Sequence, residues 1–372
     1  MKKTTFFILC LEGAVLSFNV AAAAALIPSI AKEFALSQFI VGKVIWIYML
    51  TYGLAALIYG PLVRKFDARK IELTCIFLFA LANLLAGLSG NINTLFLGRF
   101  FMGLFGASVI PLGLILIGKH KAKERRGKYI GIFFGLTFVA SLLGLFLSGV
   151  IYWRWIFLIP ALSGFILWIA MYFYLPSFKE DTGGFKFNYF RVFNDKAAFK
   201  ILAYIFFISL IYHAIQQWMG VYFSTQLKYT QFIISMLITL TSLSGIVGEF
   251  WGGLLADSLG RSRIVNIGIV FMIFSIFALI FKLPFFAFIL IMVIWGLGWT
   301  FNHVGLASML TDLPKEFLNE AASLNSAVRF ISGGIGVSLG GLIMSRSFSL
   351  GFIIFGFGLL FLLFSGRLIK AN

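Results

Sequence analysis

The stretch GGLLADSLGRSR, residues 252–263, ends a long apolar run with glycines and charged residues. A related stretch, GPLVRKFDARK, occupies residues 60–70. Gly60 and Gly253 are 193 residues apart, close to half of the 372-residue chain. A polar segment that recurs after half the chain length predicts two related halves.

Composition predicts a membrane protein. The chain is 61% hydrophobic and 12% charged, and its mean hydropathy is +1.01. A soluble protein of this length could not bury so much apolar surface. The net charge is +17, but the basic residues lie in short connectors, without a basic helix or an aromatic-rich basic patch. This distribution argues against nucleic acid as a partner and favours orientation in a bilayer.

Twelve apolar runs are long enough to cross about 30 Å of hydrocarbon, which needs about 20 helical residues. We therefore predict an all-α membrane protein with twelve transmembrane helices in two pseudo-symmetric halves of six. The predicted domains are 1–175 and 199–372, joined by a polar linker at 176–198. The predicted spans are 5–27, 39–60, 71–90, 94–117, 129–151, 155–175, 199–223, 232–256, 264–282, 284–308, 320–345 and 348–368.

The distribution of Lys and Arg predicts the orientation of the chain. With both termini inside, the inner segments hold 22 of the 30 basic residues and the outer segments hold six. This bias follows the positive-inside rule. We expect a multi-pass protein of the cytoplasmic (inner) membrane, monomeric, with both termini and the linker in the cytoplasm.

Four charged residues lie inside the predicted spans and away from the first and last residues of those spans: Glu12, Arg99, Glu249 and Arg329. An ionisable group in hydrocarbon costs at least a few kcal/mol, so each should face a partner or an aqueous cavity. Either structural ion pairs or a polar pathway would explain them. Glu249 and Arg329 lie about 12 Å and about 13 Å from the cytoplasmic ends of their helices, by helical rise, and are expected to pair.

Polar and aromatic residues share helical faces in spans 7 and 10. Packing within the core is one explanation, and a substrate chamber between the spans is the other. Two lone histidines on distant spans do not predict a metal site, and two apolar-run cysteines, Cys10 and Cys75, predict neither a disulfide nor a cofactor. The candidate chamber residues, with one from span 1, are Asn19, His213, Gln216, Gln217, Trp295, Trp299, Asn302 and His303.

The repeated motifs resemble those of the major facilitator superfamily over essentially the full chain. GGLLADSLGRSR resembles the family's loop between spans 8 and 9, with Gly253, Asp257, Gly260 and Arg261 at the motif positions. GPLVRKFDARK resembles its partner between spans 2 and 3, with Gly60, Arg64, Asp67 and Arg69. The resemblance implies a cytoplasmic gate, in which the glycine allows close helix approach and Asp257 ends its helix. It also implies two halves that rock about a midplane site.

Three further stretches extend the resemblance. LFLGRFFMGLFGA at 95–107 resembles the span-4 motif, whose Arg, here Arg99, the family links to proton coupling. Gly103 and Gly296 are again 193 residues apart. WRWIF at 153–157 and NEAASLNSAVRFISGGIG at 319–336 resemble the family's stretches at spans 5–6 and span 11.

Departures from the motifs limit what the resemblance implies about coupling. Arg64 stands where Asp is usual, Asn19 stands where drug exporters often have Asp, and Ala140-Ser141 replaces the Gly-Pro of antiporters. Proton coupling must then rest on Glu12 or Glu249. Glu12 is the better candidate, modulated by Arg99, because Arg329 is expected to hold Glu249 ionised.

The sequence as a whole favours a secondary transporter that alternates its access and exports a small amphipathic organic compound in exchange for protons. A sugar or metabolite transporter, or an uncoupled facilitator, is the alternative within this fold. A polytopic membrane enzyme is a remote alternative, because it would need a paired carboxylate or a His/Asp cluster at a membrane surface, and the sequence indicates neither. A sensor or structural membrane protein is another remote alternative, and the two gate motifs argue against it. No cofactor is predicted, and the expected partners are the substrate, protons and lipid.

The predicted orientation can be tested by labelling with a membrane-impermeant maleimide. Ser177→Cys, at the predicted cytoplasmic linker, should remain unlabelled in intact cells and react after permeabilisation. Lys228→Cys, in a predicted outer connector, should react in intact cells. Labelling of the Ser177 position from outside would contradict the twelve-span orientation.

Overall fold

The computed structural model describes residues 3–120, 123–177, 189–313 and 318–366; within these ranges, the side chains of residues 60, 61, 63, 64, 118–120, 123–127, 190, 311 and 318–323 are not described. All regular structure in the described residues is helical. The helices are α1 (Lys3–Ser17), α2 (Ala22–Ala25), α3 (Ile27–Phe34), α4 (Gln38–Val41), α5 (Lys43–Lys65), α6 (Ala68–Gly87), α7 (Ile92–Gly106), α8 (Val109–His120), α9 (Lys123–Leu147), α10 (Trp155–Tyr174), α11 (Tyr189–Asn194), α12 (Lys196–Gln216), α13 (Met219–Thr225), α14 (Gln231–Leu259), α15 (Arg261–Ala278), α16 (Phe285–Thr311), α17 (Leu318–Met344) and α18 (Phe348–Ser365).

Twelve helical segments in the described chain are long and apolar enough to cross a membrane, which confirms the predicted fold class. Four of them are interrupted rather than continuous. Span 1 breaks between α1 and α2 around Asn19, and span 2 between α4 and α5 at Gly42. Span 4 breaks between α7 and α8 at Ser108, and span 7 between α12 and α13 at Gln217. In membrane transporters, broken helices are common at binding sites.

The chain forms two compact units, Met1–Phe187 and Asn188–Asn372. Residues 178–188 of the predicted linker lie outside the described residues. The rest of the linker is partly helical, because α11 spans Tyr189–Asn194 and α12 begins at Lys196. Asp195 caps α12 by accepting a 2.8 Å hydrogen bond from the Ala198 N–H. Reading spans from apolar runs missed this polar first turn.

The two units pair their helices in the same way. In the first unit α5 packs on α7, α1 on α9, and α6 on both α7 and α10. In the second unit α14 packs on α16, α12 on α17, and α15 on both α16 and α18. Numbering the spans within each unit gives the same pairs both times, namely 2 with 4, 1 with 5, 3 with 4 and 3 with 6. This matching order supports the internal repeat read from the sequence.

Glycines allow the closest helix contacts in both units, and they recur at the repeat spacing. A Cβ on Gly103 would collide with Tyr48 and Thr51 of α5, and a Cβ on Gly296 would collide with Thr241 and Ser244 of α14. Each of these three residues in the second unit stands 193 positions after its counterpart. Without a side chain, each glycine lets one helix backbone lie against another, the usual packing device in membranes.

A polar clamp joins the loops at one end of the first unit. Arg154, before α10, donates to the Gly87 and Ser89 carbonyls at 3.0 and 2.7 Å and to Glu33 of α3 at 2.6 Å. Glu33 also accepts hydrogen bonds from Tyr152 and Trp153. Burial alone would raise the pKa of Glu33, but these hydrogen bonds and the charge of Arg154 outweigh it and lower that pKa.

The glycine contact in span 4 can be tested with Gly103→Ala. The added Cβ would lie 2.6 Å from the Tyr48 carbonyl oxygen, so α5 and α7 must move apart, at a cost of about 1–3 kcal/mol. Gly131→Ala in α9 is the control, because no described atom lies within 4 Å of its Cβ. Thermal unfolding of the purified protein should show a lower Tm for Gly103→Ala only. Equal Tm values for both variants would contradict the close contact.

Candidate functional site

Two glutamates meet inside the first unit. Glu12 on α1 and Glu72 on α6 are both 0% exposed, and their carboxyl groups lie within hydrogen-bonding reach of each other. Ser108, at the break in span 4, donates a weak 3.4 Å hydrogen bond to Glu72 Oε2. The sequence predicted Glu12 and Glu249 as the only acidic residues well inside spans, and Glu72 is a third. Asp67 caps α6 so that it begins at Ala68, which places Glu72 more than one turn inside the helix.

Most oxygens of this carboxyl pair lack hydrogen-bond donors among the described residues. Both oxygens of Glu12 and Oε1 of Glu72 are buried without a hydrogen-bond partner among the described residues. Two adjacent carboxylates repel each other strongly in a medium of low dielectric constant. One shared proton removes that repulsion and supplies an O–H donor to the facing oxygen. Two buried carboxyl groups on neighbouring helices can thus share one proton.

A second polar contact joins the same two spans. Asn19 Nδ2 donates a 2.6 Å hydrogen bond to Asn83 Oδ1, and Asn83 donates in turn to the Phe79 carbonyl at 2.9 Å. Both amides are fully buried. Asn19, a predicted chamber residue, is here an interhelical contact at the break of span 1. Asn83 was not identified from the sequence, although it lies eleven residues after Glu72, close to three helical turns.

Arg99 contacts span 2 rather than Glu12. Its Nε donates to the Val44 carbonyl at 2.9 Å, and its guanidinium lies 4.3 Å from the Tyr48 ring centre. The partner of Glu12 is Glu72 on α6, so the structure does not bring Arg99 and Glu12 together. Arg99 is buried, and its Nη1 has no hydrogen-bond partner among the described residues, so the charge is costly to place in this half.

The predicted faces of spans 7 and 10 come together in the second unit. The Tyr212 ring stacks on Trp295 and Trp299, with ring centres 5.4 and 3.9 Å apart. Trp295 Nε1 donates to Gln216 Oε1 at 2.7 Å, and His213 packs edge-on against Trp299 at 5.6 Å. Tyr212, beside His213 in the sequence, was not identified as a site residue, yet it is the centre of the stack.

Two predicted chamber residues lie elsewhere. Asn302 is fully buried and donates to the Gly298 carbonyl at 2.9 Å and to Met272 Sδ of α15 at 3.7 Å. The structure does not bring Asn302 into the aromatic cluster, because glycines on both helices bring α15 against that side of α16. Gln217 lies at the break between α12 and α13, half-buried.

The charged residues of the second unit pair differently from the prediction. Glu249 Oε1 lies 3.4 Å from His303 Nδ1. Arg329 Nε donates to Asn325 at 2.9 Å, and the guanidinium lies 5.7 Å from the Trp299 ring centre. Glu249 is close enough to attract Arg329, but its direct contact is with His303. Glu249 and Arg329 were expected to pair because they lie at similar depths. They do not form that pair, because α14 packs on α16 and Glu249 faces α16.

The first gate motif is stabilised inside its own half. Asp67 accepts a 2.9 Å hydrogen bond from the Arg69 N–H and another from the Ser177 hydroxyl. Arg69 Nη2 donates to the Tyr172 carbonyl at 2.5 Å. Gly60 and Arg64 fall in the last turns of α5, and their side chains lie outside the described part of the chain.

The second gate motif differs from the expectation in two respects. Helix α14 continues past Asp257 and ends at Gly260, whose φ of +94° favours glycine. No described atom lies within 4 Å of a Cβ on Gly253, and the neighbouring Gly252 makes the close contact, with Phe301. Arg261 donates to the Ser308 carbonyl at 2.7 Å and forms an ion pair with Asp312. Asp257 is exposed.

Known proteins resemble this chain in sequence and in fold. MdtD of Salmonella typhi, named as a candidate multidrug resistance protein, is 32% identical over 169 residues, or 43% of this chain and 35% of that protein. The MFS-type transporter phomT of Diaporthe leptostromiformis is 31% identical over 180 residues, or 46% and 30% of the two chains. The chain thus aligns with about a third of the length of these relatives.

Solved transporters share the whole fold. A bacterial homolog of the human lysosomal transporter Spinster superposes with a TM-score of 0.80 at 12% identity, covering 98% of this chain and 96% of that one. The nucleoside transporter NupG gives a TM-score of 0.74 at 16% identity, covering 98% and 100%. Residues 9–337 match the family description Major Facilitator Superfamily. The chain therefore belongs to the Major Facilitator Superfamily.

Proposed function

We propose that this chain works by alternating access and exports a small amphipathic organic compound across the cytoplasmic membrane in exchange for protons. Membership of the Major Facilitator Superfamily supports transport rather than an enzymatic reaction. The partial likeness to MdtD, a bacterial protein named for multidrug resistance, supports efflux and an inner-membrane location.

Proton coupling rests on the Glu12–Glu72 pair. Both carboxyl groups are fully buried, and no described Lys or Arg forms an ion pair with either. A proton held between them can be released only when the pair separates or gains access to water. Glu12 lies on α1 and Glu72 on α6, so movement of α1 relative to α6 changes the distance between the two carboxyl groups and hence the proton affinity of the pair. Helix movement and proton release are linked in this way.

Substrate contact is assigned to the aromatic cluster of the second unit. Its central members are Tyr212, Trp295 and Trp299, with Gln216 and His213 at the edges. Stacked rings attract a planar apolar body, and the amide and imidazole supply hydrogen bonds to a polar end. His213 Nδ1 lies 2.8 Å from the Ser209 carbonyl, which can only accept, so Nδ1 carries the hydrogen and Nε2 is left for another partner.

Coupling can be tested with Glu12→Gln and Glu72→Gln in proteoliposomes. Each change keeps the shape of the side chain and replaces the shared proton with a permanent amide donor. Uptake of a panel of aromatic compounds with negative, zero and positive charge is measured with and without an imposed pH gradient. Both variants should lose gradient-driven accumulation by about 10-fold or more while keeping equilibrative exchange, as removal of a proton-transfer group predicts.

Glu249→Gln is the comparison for this experiment. It removes a carboxyl group of the other half that contacts His303 and is partly exposed. Loss of gradient-driven transport in Glu249→Gln, with wild-type behaviour in Glu12→Gln and Glu72→Gln, would move the coupling site to the second half. Wild-type behaviour of all three variants would favour an uncoupled facilitator.

The gate is tested with Asp257→Asn. Asp257 is exposed and does not end α14, so the change should leave Tm within about 1 °C of wild type, as expected for a surface substitution. A contact made by its charge during the transport cycle would be lost, and the exchange rate should fall several-fold. The neighbouring Ser258→Ala, whose hydroxyl donates to the Leu255 carbonyl of its own helix, is the control. A wild-type rate for Asp257→Asn would make this loop an ordinary connector.

A further inference from the structure

Most N–H groups of the Arg329 side chain have no hydrogen-bond acceptor among the described residues. Its side chain is 7% exposed, and both terminal nitrogens, Nη1 and Nη2, are buried without a partner among the described residues. A guanidinium presents five N–H donors, and here only Nε is engaged, by Asn325. Buried charges are stable when they are paired, so an unpaired guanidinium indicates a missing anionic group.

The position of Arg329 is fixed by backbone contacts. A Cβ on Gly336 or Gly340 of α17 would collide with the Leu210 or Ala214 carbonyl of α12, so the two helices touch at these points. The Ser209 hydroxyl also donates to the Arg329 carbonyl at 3.0 Å. These contacts fix the rotation of α17 and direct the guanidinium toward the aromatic cluster rather than toward lipid.

An aromatic surface lies beside the guanidinium. Arg329 is 5.7 Å from the centre of the Trp299 ring, and Trp299 stacks on Tyr212 at 3.9 Å. Trp299 and His213 are only half-buried, so part of each ring remains exposed at this side of the cluster. A fork of N–H donors next to a ring face matches a planar apolar group that bears a carboxylate.

Among the described charged groups around this cluster, the Arg329 guanidinium is the one that attracts an anion. It lies close enough to His213 and His303 to interact with both electrostatically. Glu249 is close enough to attract Arg329, but its direct contact is with His303. Glu249 repels an incoming anion, so its removal should strengthen anion binding, whereas removal of Arg329 should weaken it.

We propose that Arg329, Trp299 and Tyr212 form a subsite for an aromatic organic anion, whose carboxylate pairs with the free guanidinium nitrogens while its ring stacks on Trp299. This proposal deepens the proposed export function and rests on it for its biological meaning. Equilibrium binding tests it separately, since binding requires neither a proton gradient nor turnover.

The probes are phenylacetate, phenylacetamide and phenethylamine, which share one ring and carry negative, zero and positive charge. Binding to the purified full-length chain is measured by calorimetry in nanodiscs of phosphatidylcholine, whose headgroup has no net charge and supplies no competing anion. Wild type should bind phenylacetate at least about 10-fold tighter than phenylacetamide, as a charge-assisted bidentate pair predicts. Phenethylamine should bind most weakly.

Two variants should shift this preference in opposite directions. Arg329→Gln should remove the advantage of phenylacetate over phenylacetamide, and Glu249→Gln should increase it several-fold. Arg346→Gln, an exposed arginine after α17, is the charge-matched control and should change nothing. Equal binding of the three probes by wild type would overturn the proposal, even if Arg329→Gln fails to fold. Tighter phenethylamine binding, or an unchanged preference in Arg329→Gln, would also overturn it.

Failure of the subsite and failure of coupled transport give different results. If phenylacetate binds without preference but the pH gradient still drives transport of other compounds, only the subsite is wrong. If phenylacetate binds selectively but no gradient effect is seen, the subsite remains and proton coupling is wrong.

Discussion

Backbone contact at glycines fixes the rotation of the helices in each half, and every polar cluster depends on that rotation. Gly103 holds α7 against α5, and Gly296 holds α16 against α14 at the equivalent place. Gly336 brings α17 against α12. In a membrane, apolar side chains pack about as well against lipid as against each other, so these contacts carry much of the specificity of assembly. A small rotation would take Arg329 away from Trp299.

The two halves share this backbone and differ in chemistry. Position 19 in the first half is Asn, and the residue 193 positions later is Tyr212. Asn19 bonds to a buried amide, whereas Tyr212 stacks on two tryptophans. The carboxyl pair is in the first half, and the arginine with its aromatic neighbours is in the second. We therefore infer that the first half exchanges protons and that the second half contacts the substrate.

Sequence patterns predicted the features that depend on hydropathy and spacing. Long apolar runs are sufficient to identify twelve spans, and the 193-residue offset between Gly103 and Gly296 marks residues that pack alike in both halves. The shared face of His213, Gln216, Trp295 and Trp299 was also predictable, because helical periodicity places such residues on one side. Spans 7 and 10 pack together because each has a polar face, and contact between these faces keeps both out of the lipid.

The features that sequence reasoning missed depend on helix ends and on rotation. Glu72 lies at the edge of an apolar run, and only the cap at Asp67 shows that it is inside α6. Depth along the helix axis placed Glu249 level with Arg329, but it carries no information on direction around the axis. The position of Asn302 outside the aromatic cluster has the same origin, since the close approach of α15 is set by glycines on both helices.

Infrared difference spectroscopy of the carboxyl C=O stretch tests most directly whether Glu12 and Glu72 share a proton. A shared proton predicts a protonated-carboxyl band in the purified wild type at neutral pH, shifted by exchange into deuterated water. Glu12→Gln and Glu72→Gln should each remove or displace that band, while Glu33→Gln leaves it unchanged. A wild-type spectrum without this band, or a band that persists in both variants, would contradict the account.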